Sequence, residues 1–218
     1  MRTARIQEIE PIRVADGKLE WRPVRRTLGI QAFGINAYTA NAGELVVEEH
    51  DETGHGAGHH EELYVVVSGH AIFTVDGQEL DAPPGTLVFL DEPTEKRGAL
   101  ATEDGTTVLA IGGARSEAFK ISPWEYYFAS VPARERADWD EAERLHREGL
   151  EAHPGNASLL YNLACVLAQR GERDEALELL RQALTAEPDY GKYLETDTDL
   201  EPLRADPRFN EVLGRPSE

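Results

Sequence analysis

The chain has 218 residues, of which 40% are hydrophobic and 29% charged, enough apolar content for one large core or two modest ones and too much for extended disorder. Its formal net charge is −19, with a net +3 over residues 1–30 and −22 over the rest, and a field of that sign repels phosphate backbones and anionic lipid surfaces, so neither nucleic acid nor membrane is an expected partner. No apolar run approaches the ~20 residues that span a bilayer, the amino-terminal MRTARIQEIEPIR lacks the apolar core of a secretory leader, and a single cysteine, Cys165, cannot close an internal disulfide, so a cytoplasmic protein is expected.

Residues 1–24 read as a lead-in segment. From Leu28 to Gly113 short runs of Val, Ile, Leu, Phe, Tyr and Thr are broken by glycine, proline and Asp-Gly, the signature of many short strands. The expected strands are Gly29 to Tyr38, Glu44 to Glu49, Glu62 to Val67, Ala71 to Val75, Gly85 to Leu90 and Thr106 to Ile111. Asp76-Gly77 marks a hairpin, because both central residues of a tight primed turn need positive φ. Even strand spacing with such turns predicts an antiparallel sandwich or barrel over residues 25–120.

Beyond Ser122 the pattern changes to Ala, Leu, Glu and Arg at helical period, and an internal repeat appears over residues 121–218. Pro154 and Pro188 lie 34 residues apart, as do Trp139-Asp-Glu-Ala142 and Arg173-Asp-Glu-Ala176. Residues 157–190 carry Leu160, Leu163, Ala164 and Leu167 on one helix, Gly171 at the turn, and Ala176, Leu180 and Ala183 on the next. In period and in pattern they resemble a tetratricopeptide repeat, in which small residues let two helices approach while leucines fill between them. Residues 123–156 depart from it, with Pro132 expected to interrupt the first helix and Gly149 standing where the repeat has alanine; Asp199 to Leu213 reads as a capping helix. The aromatic run at Pro123 to Phe128 reads as packing, since no basic residues interleave it for stacking on bases. Cys165 falls in the apolar helical pattern and reads as a small buried hydrophobe.

The stretch from His60 to Gly69, HEELYVVVSG, and the glycine-marked strand from Ala82 to Leu90, APPGTLVFL, resemble the two signature motifs of cupins. That resemblance implies a small antiparallel jelly-roll barrel, and with the helical half an α+β chain of two domains. In the first cupin motif two histidines stand one residue apart, followed by a glutamate, six residues and a glycine. Glu62, LYVVVS and Gly69 fit the second half of it. Counting from Gly43 puts the histidine pair on Glu49 and Asp51, counting back from Glu62 puts it on His55 and Ala57, and the segment HDETGHGAGHH reads as carrying an insertion. In the second motif the position of the last metal histidine falls on Lys96, beside Arg97; a lysine ammonium has no lone pair to give a metal.

The resemblance therefore implies a cupin with an altered metal motif. The first expectation is a small-molecule-binding protein whose ligand, anionic if Lys96 and Arg97 hold it, meets Glu62, Tyr64, Phe73, Lys96 and Arg97, and in which a Glu62–Lys96 ion pair replaces the metal. The second is a metal-dependent enzyme of dioxygenase or isomerase type, with zinc, iron, nickel or manganese on His55, His59 or His60 and Glu62. The third is an adaptor whose barrel is structural and whose repeats take a peptide or protein partner. A homodimer is expected, with the helical module serving assembly or recruitment.

Overall fold

A computed structural model describes residues 2–54, 57–115 and 118–213; His55 lies outside them. Contacts divide the chain into two units, Met1–Ile121 and Ser122–Glu218. No helix among the described residues is long and apolar enough to cross a membrane.

The first unit contains β1 (Ile12–Val14), β2 (Leu19–Arg22), a short helix α1 (Val24–Leu28), β3 (Gly34–Ala40), β4 (Leu45–His50), β5 (Glu61–Ser68), β6 (Ala71–Val75), β7 (Gln78–Ala82), β8 (Leu87–Leu90), β9 (Arg97–Ala101) and β10 (Thr106–Gly113). All pairings are antiparallel. They form a six-stranded sheet in the order β1-β2-β3-β10-β5-β8 and a four-stranded sheet in the order β4-β9-β6-β7. From β3 onward this is the strand order of a jelly roll, β3-β10-β5-β8 facing β4-β9-β6-β7. The two sheets stay open, so the expected barrel is a sandwich. The lead-in segment expected over residues 1–24 supplies two strands of it: Trp21, fully buried, pairs with Tyr38, and Ile9 and Val24 pack on Ala37.

Alternation decides which side chains face inward. On β5, Glu62, Tyr64 and Val66 point between the sheets and Leu63, Val65 and Val67 point out; on β8, Val88 and Leu90 are buried while Leu87 and Phe89 are exposed. Phe73, Ala99 and Ala101 close the core from the other sheet. The Asp76-Gly77 turn joins β6 to β7 with φ of +47° and +80°, both positive as a two-residue primed turn requires. At Gly69, between β5 and β6, φ is +71° and a Cβ would stand 2.5 Å from Thr106 Cα, so glycine is demanded twice over.

The second unit is helical: α2 (Pro123–Glu135), α3 (Trp139–Ala152), α4 (Ala157–Arg170) and α5 (Arg173–Ala186), then 3-10 segments Pro188–Tyr193 and Thr198–Leu203 and a final α6 (Pro207–Val212). The Asp138 and Asn156 side chains cap α3 and α4 by accepting from the amides of Glu141 and Leu159, and Gly171 ends α4 at φ +87°. Ala164, Ala176 and Ala183 are fully buried among Leu163, Leu167, Leu177 and Leu180. Pro132 does not interrupt the first helix as expected; it sits within the last turn of α2 and the helix runs on to Glu135. Gly149 has a packing reason, since a Cβ there would come within 2.9 Å of Leu159 Cδ2 and 3.0 Å of Tyr126 Cγ.

Candidate functional site

Four side chains meet between the sheets, each held by a different segment. Glu62 comes from β5, Arg97 from the start of β9, His50 from the end of β4, and Glu52 from the loop that follows. The pairing of His50 with Arg97 across β4 and β9 brings the second sheet's contribution together. Glu52 is fixed by its backbone, which donates to Pro93 O at 2.8 Å, and by its side chain, whose Oε2 accepts from the amides of Gly58 at 2.9 Å and His60 at 3.4 Å.

Arg97 is 0% exposed. Its Nη2 and Nε donate to one oxygen, Glu62 Oε2, at 2.9 and 3.2 Å, and Nη1 donates to the carbonyls of Glu95 at 2.7 Å and Pro93 at 3.4 Å. The Tyr64 hydroxyl donates to the same Glu62 oxygen, and its ring lies 5.6 Å from that of Phe73. Burial pushes the Glu62 carboxyl up, but the facing His50 ring, the hydrogen bond of Tyr64 and the charge of Arg97 outweigh it and hold the group below its usual range. Burial, reinforced by the Glu62 charge, raises the Tyr64 phenol well above its usual value, so Tyr64 stays a donor.

His50 faces the two carboxylates. Its Nδ1 is 2.7 Å from Glu48 O, which fixes the proton there and turns Nε2 inward, 3.7 Å from Glu62 Oε2 and 3.8 Å from Glu52 Oε1. Burial works against its protonation, yet the facing Glu62 carboxylate and the hydrogen bond to Glu48 carry the balance and raise its pKa. With its side chain 36% exposed, His50 is the most accessible member of the cluster.

The expected residues divide accordingly. Glu62, Tyr64, Phe73 and Arg97 come together, with Tyr64 and Phe73 as buried floor. Lys96 does not join them: its Nζ is 2.6 Å from Glu49 Oε1 and both side chains are exposed, so the ion pair foreseen for Lys96 is made by its neighbour Arg97. His59, at φ +52°, is exposed and takes no part. His60 is buried with its ring 5.6 Å from Phe119; burial lowers its pKa, and its Nδ1 lies 4.0 Å from Glu52 Oε2. His50, one of four imidazoles in the HDETGHGAGHH segment that spacing does not rank, stands outside the expected ligands, and Glu52 was missed. They stand one residue apart, the spacing of the first motif's histidine pair, and the ladder between β4 and β9 shifts register between Val47 and His50. That irregularity moves a count from Gly43 off by one.

The residues present do not fit the three-histidine, one-glutamate centre that the resemblance implies. The corresponding positions are His50, Glu52, Glu62 and Arg97. A permanently charged guanidinium stands in place of the last ligand and occupies the Glu62 oxygen that would face a metal. An anion fares no better, because three of Arg97's donating nitrogens are already bonded and two carboxylates flank it. What the cluster offers a ligand is carboxylate acceptors, Glu52 Oε1 and the remaining oxygen of Glu62, with the His50 ring facing them.

Residues 133–196 match the family model described as tetratricopeptide repeat, which spans α3 to α5 with the end of α2. No curated protein matches the chain. Among solved structures, the chain is similar to an RmlC-like cupin protein from Desulfovibrio desulfuricans, at 22% identity over 51% of this chain and 95% of that one with a TM-score of 0.41. It is also similar to a predicted oxalate decarboxylase from Thermotoga maritima, at 19% identity over 51% and 97% with a TM-score of 0.42, and to KdgF from Halomonas sp., at 14% over 45% and 82% with a TM-score of 0.38.

Proposed function

We propose that the sandwich binds a small uncharged or cationic molecule rich in hydrogen-bond donors, such as a polyol or an amine, at the acceptor cluster of His50, Glu52 and Glu62, without a metal. The observation that carries this reading is the fully buried Arg97 spending two N–H groups on one Glu62 oxygen. A fixed cation there supplies the charge compensation that a metal would, and leaves acceptors facing the ligand. The tetratricopeptide-like module recruits a protein or peptide partner to the binding domain.

A second reading rests on one specific feature, the convergence of His50 Nε2, Glu52 and Glu62 ligand atoms within 4.8 Å of one another. With Nδ1 tied to Glu48 O, this is how a metal-binding imidazole is commonly oriented. Zinc, iron, nickel or manganese held there would have to draw Glu62 away from Arg97.

One experiment separates the two. Metal content of the purified chain is measured by mass spectrometry, and thermal shifts are recorded with a panel of polyols, amines and the four divalent ions. Substoichiometric metal, with a shift from a polyol or amine that is lost in Glu62→Gln, supports the first reading. One metal per chain, lost in Glu62→Ala and in His50→Ala, overturns it in favour of the second.

A further inference from the structure

The two sheets have four edges, and three of them carry charge: Arg13 on β1, Glu48 and Glu49 on β4, Glu79 and Asp81 on β7. Charged residues on an edge strand are the usual device against pairing with another chain. The fourth edge, β8, reads Leu87-Val88-Phe89-Leu90 and has none. Its outward side chains are also the most exposed large hydrophobics of the chain, Leu87 at 64% and Phe89 at 57%, and they continue onto Val67 of the neighbouring strand at 38%. Val66 exchanges backbone hydrogen bonds with Thr86 and Gly85, so by the alternation of an antiparallel ladder the N–H and C=O groups of Leu87 and Phe89 point away from β5, toward the open edge.

We propose that a second copy of this chain pairs with β8 in antiparallel register about a two-fold axis at Val88, so that the six-stranded sheet continues from one protomer into its partner. In that register Leu87 of each copy stands opposite Phe89 of the other. These are hydrogen-bonded pairs, so the four outward polar groups of each edge are satisfied and apolar side chains meet apolar side chains across the join. A copy of the same strand is the occupant that this edge selects, because the nearest charges along it, Asp91 and Glu92, lie three and four residues from the axis. The two Asp91 carboxylates then stand about 20 Å apart, beyond the ~8 Å screening length at physiological salt. Each faces Gly85 of the other copy instead of its like. A two-fold contact of this kind closes on itself and does not propagate into a fibre.

The test uses the full chain. Light scattering over a micromolar dilution series should give a dimer, and Leu87→Lys with Phe89→Lys should give a monomer with unchanged circular dichroism. Independently of that variant's folding, Leu87→Cys and Phe89→Cys chains, each in a Cys165→Ala background so that the introduced thiol stands alone, are oxidised separately and mixed. In the proposed register their Cα atoms lie about 5.5 Å apart, within disulfide range. The mixture should cross-link several-fold more than either chain alone. A monomer at every concentration, a dimer that survives the lysine variant, or equal cross-linking by Leu87→Cys alone overturns the proposal.

Discussion

His146 sits on α3 with no exposed surface, and neither of its ring nitrogens has a hydrogen-bond partner among the described residues. Burial, with the Arg134 charge adding to it, pushes its pKa down to about 3 from the ordinary 6.5. The unfolded chain therefore binds a proton that the folded chain refuses throughout the window between those values, and stability falls as pH falls. The loss begins near pH 6.5 and accumulates toward pH 3. At pH 5 linkage makes it about 2 kcal/mol, and at pH 7 only about 0.2 kcal/mol. For a unit of this size that corresponds to a fall in Tm of roughly 8–15 °C. His146→Leu replaces an unsatisfied polar ring by an apolar side chain and removes the proton site, so the variant should be at least as stable at neutral pH and lose about 2 kcal/mol less between pH 7 and pH 5. Urea unfolding followed by helical ellipticity, for both chains at both pH values, measures this. Equal losses in the two chains would refute the reasoning, whatever their absolute stabilities.

At the acceptor cluster, Arg97→Met strands the Glu62 carboxylate between the sheets and should cost about 3–5 kcal/mol in denaturant titration, whereas adding Glu62→Gln should recover part of the loss rather than deepen it. His50, titrated by proton NMR, should have a midpoint above 6.5; Glu62→Gln should lower it, since the facing Glu62 carboxylate is the largest influence raising it. Arg97→His exchanges the guanidinium for an imidazole and frees Glu62, and should bind zinc or nickel at least tenfold more tightly than the native chain by calorimetry. Gly69→Ala places a Cβ 2.4 Å from Thr106 Oγ1 and forces a left-handed alanine, a loss of about 2–3 kcal/mol readable as a lower urea midpoint.

Strands were legible where one face is apolar and the other polar or where a turn chemistry fixes an end. Ala71 to Val75 is bounded by Gly69 and Asp76-Gly77 and falls at those residues. β7, QELDA, was signalled only by the Asp76-Gly77 hairpin turn because four of its five residues are exposed, and β9, RGALA, was not foreseen because its buried side chains are one arginine and small alanines, which carry no strand propensity. Arg97 as a buried residue is invisible to any hydrophobic pattern; only its pairing with Glu62 makes burial affordable. The His50 and Glu52 pair was hidden by counting residues along a strand as if its ladder were regular, and the register shift between Val47 and His50 breaks that count.

Choosing between Lys96 and Arg97 as the internal cation could have been argued from chemistry alone. A cation that replaces a multidentate metal has to satisfy several acceptors fixed in different directions, and a guanidinium presents five N–H groups in a rigid plane where an ammonium presents a point charge on a flexible stem. Arg97 engages all three nitrogens of that plane, with Nε and Nη2 on Glu62 and Nη1 on two carbonyls of the loop before β9. The consequence reaches function. A metal offers an open coordination position and can be exchanged, whereas Arg97 is fully buried and permanently charged. The charge that stabilises Glu62 is then part of the fold, and at the proposed site recognition falls to the carboxylate oxygens that Arg97 does not use, Glu52 Oε1 and the second Glu62 oxygen, with the His50 ring beside them. At the proposed site the ring of His50, whose pKa burial lowers but the facing Glu62 carboxylate and the Glu48 carbonyl raise on balance, ties ligand binding to pH.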